Sequence, residues 1–104
     1  MKTTLLSKVV VVLAAGTSGC SRESRKRNYL ERANRLASQG KYNEAALSYR
    51  QAIKVDVAFA EAHYQLGLTE LKLEDFDRAV LSLQRAALLM PNRTEIKAKL
   101  GRVY

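Results

Sequence analysis

The sequence predicts an all-α chain of tandem helix-turn-helix units behind a leader, and three observations predict it. Apolar and small residues recur at helical spacing in successive segments. No run of β-branched residues occurs outside the leader. A two-helix pattern, complete once between His63 and Pro91, returns in part 34 residues to either side. The length of 104 residues and an apolar content of 47% suit one small domain at most.

The chain opens with Lys2 and Lys8 and no acid, followed by an apolar run from Val9 and the small residues Gly16-Thr17-Ser18-Gly19. A basic head, a short apolar segment and a small-residue end make residues 1–19 a secretory signal, too short to span a bilayer. Cys20, the only cysteine, follows directly. The arrangement resembles bacterial lipoprotein signals, which implies lipidation of Cys20 as the first mature residue and anchoring to a membrane. The other reading is a free thiol in a leader cut elsewhere. Ser21 does not resemble the aspartate that retains such proteins at the inner membrane in some bacteria, so the resemblance prefers the outer membrane.

Residues 20–25 form a basic tether, and the run SRESRKR extends from Ser21 to Arg27. Without the leader the chain keeps 16 basic against 10 acidic residues. Anionic lipid head groups would attract such a segment, at about 1 kcal/mol per basic residue close to the surface. Nucleic acid is the competing partner and the less favoured one, because no aromatic residues interleave with the arginines to stack on bases.

Residues 26–59 make the first two-helix unit. Its opening helix is expected from about Ser24 to Gln39, with Leu30, Ala33 and Ala37 on one stripe, and Gly40 able to end it in a left-handed conformation. Asn43 is the expected N-cap of the second helix, which turns Ala45, Ala46, Tyr49, Ala52 and Ile53 inward. Residues 60–93 make the second unit. Its helices are expected from Phe59 to Leu73 and from Asp77 to Leu89, the latter capped by Asp77 and stopped by Pro91. Gly67, Ala79 and Ala86 let the two backbones approach, and Leu66, Phe76 and Leu83 fill the space around them. Residues 94–104 are the first helix of a third, truncated unit, opened by an Asn92 to Glu95 capping box. Nothing like a polar cap closes it, so the chain is expected to be the front of a longer protein.

A shift of 34 residues places Ala79 on Ala45, Ala86 on Ala52, Gly67 on Ala33 and, in the other direction, Leu66-Gly67 on Leu100-Gly101. With Gly40 at a turn and Pro91 closing a unit, residues from Lys26 to Tyr104 resemble the tetratricopeptide repeat family. The resemblance implies a short right-handed solenoid. Arg32, Val57, Glu70 and Glu74 depart from its pattern, Glu74 standing where a turn glycine is usual. Leader included, the chain resembles the start of tetratricopeptide-repeat lipoproteins of bacterial export or exopolysaccharide systems, some of the PEP-CTERM type.

The residues offer little to catalysis. His63 is the only histidine, with no second ligand at metal spacing, and we read it as a packing residue. Glu70, Glu74, Asp75 and Asp77 lack the glycine and alternating ligands of a calcium loop, and are read as a solvated corner with an N-cap. No cofactor, metal or enzymatic activity is expected. The family resemblance implies instead a concave groove lined by the opening helices. The positions it carries over are Leu30, Asn34, Ser38, Tyr64, Leu68, Leu71, Lys72, Ala98 and Arg102, an apolar trough with basic edges that suits a peptide or helix of another protein. Leu71 has the alternative of packing against the next unit. Leu47, Leu81 and Leu88 are expected on the outer side of the closing helices. The expectation is a membrane-tethered scaffold for protein–protein interactions in the cell envelope, facing the periplasm. The alternatives are the anchored front of an envelope enzyme and a basic module gripping an anionic polymer.

Overall fold

A computed structural model describes residues 21–103. The expected signal sequence, the lipidation candidate Cys20 and Tyr104 lie outside the described residues. Every regular element among the described residues is a helix: α1 over residues 21–38, α2 over Tyr42–Val55, α3 over Ala60–Lys72, α4 over Phe76–Leu89 and α5 over Thr94–Val103. Helix α2 packs on α3, α3 on α4, and α4 on α5, so consecutive helices form antiparallel hairpins that stack on one another.

The turns follow from backbone chemistry. Gly40 has a φ of 76°, and the amides of Gly40 and Lys41 bond back to the carbonyls of Ala37 at 3.0 Å and Leu36 at 2.9 Å. This paired 5→2 and 6→1 closure satisfies two of the last carbonyls of α1. Helix α3 ends in the same way without a glycine. There Glu74 takes a φ of 60°, while the amides of Glu74 and Asp75 bond to Leu71 and Glu70 carbonyls at 3.1 and 2.9 Å. A side chain in that conformation costs on the order of 1 kcal/mol. Helix α4 ends at Leu89, two residues before Pro91, as expected.

Helix starts differ from the expectation. Helix α2 begins at Tyr42 with Lys41 at its N-cap, and α4 begins at Phe76 with Asp75 there. Neither flanking residue caps with its side chain, so Asn43 and Asp77 lie inside the first turn and not at the cap. The caps lie two residues earlier than expected because Lys41 and Asp75 carbonyls already accept the amides of Ala45 and Ala79 at 2.9 and 3.0 Å. At α5 the expected capping box gives way to an ion pair, with the Glu95 carboxylate held by the Arg93 guanidinium.

Two clusters form the core. Ala33, Ala45, Ala46, Tyr49 and Leu66 join α1, α2 and α3, and Tyr64, Leu83, Ala86 and Ile96 join α3, α4 and α5. Ala33, Ala45, Ala52, Ala79 and Ala86 are fully buried, as small residues at closely packed positions should be. Gly67 is more constrained still. A Cβ placed there would lie 2.7 Å from Leu83 Cγ and 2.8 Å from its Cδ2, and Leu83 has no exposed surface into which to retreat. Phe76, expected to fill the space around Gly67, is instead 53% exposed at the first position of α4.

Residues 21–25, read as a tether, are helical and continuous with α1. Arg22 donates from Nε and a terminal nitrogen to the Val55 carbonyl at 3.3 and 3.2 Å. Lys26 Nζ pairs with Asp56 at 2.7 Å and Glu23 at 3.2 Å, and lies 4.7 Å from the centre of the Phe59 ring. These contacts fasten the front of α1 to the α2–α3 turn. Their polar character comes from the sequence, but their geometry is set by the stacking of the helices.

Three measurements test these assignments. Gly67→Ala should lower stability in urea unfolding by about 1–3 kcal/mol through overpacking against Leu83. Gly101→Ala, where nothing lies within 4 Å of the added carbon, should gain up to about 1 kcal/mol of helix preference; equal effects at the two glycines would refute the close approach. Glu74→Gly should stabilise by about 1 kcal/mol by releasing the left-handed strain, and a loss would show that the Glu74 side chain holds the turn. The third concerns pH. The hydrogen bond from Lys26 holds the Asp56 carboxyl below its ordinary value despite the cost of burial. The folded state thus favours the charged form, and its contribution is complete above the ordinary aspartate value near about 3.9 and disappears as pH falls through the lower folded value. Asp56→Asn should therefore destabilise at neutral pH and converge with the parent chain in strong acid; a constant gap would exclude ionisation as its source.

Candidate functional site

On α3, Leu68, Leu71 and Lys72 are three and four residues apart and so share one face. The same argument puts Lys99 and Arg102 together on α5. The stacking of α3, α4 and α5 brings these residues around an open groove of about 640 Å³, completed by Phe76 at the start of α4. Hydrocarbon makes its floor and three cations its rim. No carboxylate lines it, and among the described residues Lys72, Lys99 and Arg102 form no ion pair. Such an arrangement concentrates positive potential over apolar surface and favours an anionic, partly apolar occupant.

Four of the nine expected groove positions meet there: Leu68, Leu71, Lys72 and Arg102. The other five do not line it. Leu30 packs against the first core cluster. Asn34 accepts a hydrogen bond from the Tyr49 hydroxyl at 2.5 Å, and Ser38 donates to the Arg35 carbonyl at 2.7 Å. Ala98 is exposed on α5 outside the lining. Tyr64 is buried within the second core cluster, with the Arg93 guanidinium 4.9 Å from its ring centre. Arg93 is itself pinned by Glu61 at 3.0 Å, so the tyrosine is roofed by a fixed cation instead of facing an open trough. Leu71 serves both roles weighed for it, lining the groove and packing against the Tyr64–Ile96 cluster.

Phe76 and Lys99 line the groove as well, outside the nine positions expected there. Phe76 reads as a core residue because a large aromatic beside small residues ordinarily fills space. Lys99 could have been found by its spacing, three residues before Arg102 on the same helix face.

The acidic corner is also different from its reading. Glu74 and Asp77 are exposed, but Glu70 is buried, 2% exposed. Its carboxylate accepts a hydrogen bond from Ser82 Oγ at 2.5 Å and pairs with Arg50 at 3.2 Å. It therefore links α2, α3 and α4, and a buried carboxylate is tolerable because both oxygens are satisfied. His63 has the packing role expected of it: it is buried, and its Nε2 lies 2.8 Å from the Val57 carbonyl, where the protonated nitrogen donates. The Tyr49 hydroxyl is pushed up to about 12 by burial and by the charge of Glu61, which keeps it a donor to Asn34. Among the described residues no cluster of histidine, cysteine, aspartate and glutamate could hold a metal, and no helix is long and apolar enough to cross a membrane.

Comparison with known proteins agrees with this geometry. Residues 33–74 match the family model described as TPR repeat, and residues 60–93 the one described as tetratricopeptide repeat. Anaphase-promoting complex subunit 3 of Schizosaccharomyces pombe is 32% identical over 76 residues, which cover 73% of this chain and 11% of that protein. The chain thus spans a small fraction of that relative's length. Among solved structures, the second TPR of Spaghetti (RPAP3), bound to the HSP90 peptide SRMEEVD, superimposes with a TM-score of 0.74 at 22% identity, over 80% of this chain and 79% of the other. The type III secretion translocator chaperone SycD of Yersinia enterocolitica does so with a TM-score of 0.62 at 19% identity, over 93% and 74%. At these identities the likeness is one of fold.

Proposed function

Because this chain belongs to the tetratricopeptide-repeat family, its repeats lying within residues 33–93, we propose that it is a protein–protein interaction scaffold whose groove between α3 and α5 captures a segment carrying both apolar and acidic side chains. The observation that carries the proposal is the groove itself, with Leu68, Leu71 and Phe76 beneath three cations that have no ion-pair partner among the described residues. Apolar contacts would supply affinity, and the cations would set register and speed encounter. A structural neighbour that binds the peptide SRMEEVD supports this kind of occupant, since that peptide combines methionine and valine with three acids.

The location completes the proposal. Acylation of Cys20 after removal of residues 1–19 would anchor the chain in a membrane of the bacterial cell envelope, facing the periplasm, where it would position partners of an export or exopolysaccharide system. Residues 21–25 are helical and fastened to the α2–α3 turn, so an anchor at Cys20 would hold the repeats close to the bilayer with little slack.

The first probe is a fluorescent SRMEEVD peptide in an anisotropy titration. Lys99→Glu and Arg102→Glu should each weaken binding about tenfold at low salt, with the difference narrowing in high salt. Phe76→Ala should weaken it at all salt concentrations. Binding of this peptide that ignores all three substitutions would place the interaction elsewhere. A long anionic polysaccharide that binds with strong salt dependence but no dependence on Phe76 would favour the polymer reading.

A further inference from the structure

The opposite face of the molecule carries a second feature, formed by the closing helices α2 and α4. Two clefts adjoin there. The first, of about 290 Å³, lies between α2 and α4 and draws the cations Arg50, Lys54, Arg78 and Arg85 together over a floor that includes buried His63 and Glu70. The second, of about 350 Å³, is predominantly apolar, walled by Val57, Leu88 and Leu89. The two share His63 and Arg85.

Their charges are unequal to the needs of the fold. Arg50 is occupied by Glu70 and Arg78 by Asp75, but among the described residues Lys54 and Arg85 have no ion-pair partner. The apolar side chains are equally unspent: Leu88 is 82% exposed, Val57 77%, and Leu81, which lines the first cleft, 56%. Single aliphatic side chains separated by cations do not make the continuous apolar stripe that a partner helix needs. A cationic chamber opening directly into an apolar one matches a molecule with an anionic head and an aliphatic body.

We propose that the α2–α4 face docks on anionic phospholipid, with the phosphate group between Lys54 and Arg85 and the leucine side chains at the boundary of the acyl region. The inference uses neither the concave groove nor acylation of Cys20. It assigns the two faces different tasks: one takes protein, and the other rests on the membrane.

The sequence contains no tryptophan, so Leu88→Trp supplies a local reporter. The experiment uses the full chain carrying Cys20→Ala and vesicles of phosphatidylcholine with or without phosphatidylglycerol. Every variant retains the same leader, whose contribution is therefore constant. Emission from Leu88→Trp should shift to the blue on vesicles containing phosphatidylglycerol, and not on phosphatidylcholine alone. A control tryptophan at exposed Gln39, in the turn after α1, should not shift. Adding Lys54→Glu and Arg85→Glu should raise the lipid concentration for half-maximal shift by more than about tenfold, with the helical circular dichroism unchanged. No shift at Leu88, equal shifts at both reporters, or insensitivity to the two charge reversals would overturn the proposal. So would an equal blue shift with a soluble acidic peptide in place of vesicles, which would assign the face to a protein partner. Loss of this lipid response with SRMEEVD binding intact would leave the groove proposal standing, and the reverse result would leave this one standing.

Discussion

The close approach of α3 and α4 at Gly67 and Leu83 is the contact on which the rest of the structure depends. With 2.7 Å between Leu83 Cγ and the place of a Cβ on residue 67, the helices cannot approach this closely with a larger residue there. One turn after Gly67, that spacing puts Glu70 against Ser82, the residue beside Leu83. The other oxygen of Glu70 then reaches Arg50 on α2. A steric constraint inside one hairpin thus positions the polar link between hairpins. The apolar contact drives association, whereas the ion pair selects one register, because a displaced register would leave a buried carboxylate unsatisfied at a cost of several kcal/mol.

The architecture was legible in the sequence because its determinants are local and repeated. Ala45, Ala52, Ala79 and Ala86 mark the tight faces at fixed spacing, and Gly40 and Pro91 mark ends through intrinsic backbone restrictions. What was less legible depends on partners distant in the chain. Glu70 reads locally as a solvent residue, yet Arg50 and Ser82, 20 and 12 residues away, make its burial possible. Tyr64 reads as a groove wall until Arg93 is seen folding over it. Asn43 and Asp77 have the chemistry of caps, but cap preference is worth only about 1 kcal/mol, and tertiary packing moves the caps two residues earlier, to Lys41 and Asp75. Glu74 is the converse case: the pattern calls for glycine, and the chain keeps the turn at the expense of a left-handed glutamate.

The cations separate into two groups by what they do. Lys26, Arg50, Arg78 and Arg93 pair with carboxylates, and three of them join parts of the chain at least 20 residues apart. Lys72, Lys99 and Arg102 in the groove, and Lys54 and Arg85 on the opposite face, have no such partner among the described residues. Folding gains nothing from grouping like charges around apolar surface; their mutual repulsion opposes the compact state. Each unpaired group also sits beside exposed hydrocarbon, Phe76 on one face and Leu81 and Leu88 on the other. Both costs are relieved together when an anionic, partly apolar partner arrives, since it removes the hydrocarbon from water and neutralises the cluster. The surplus positive charge is thus better understood as two local complementarity patterns than as a diffuse property of the chain. Net charge alone leaves nucleic acid, membrane and acidic protein all open, and the two proposals rest instead on where Phe76 and Leu88 stand beside the cations.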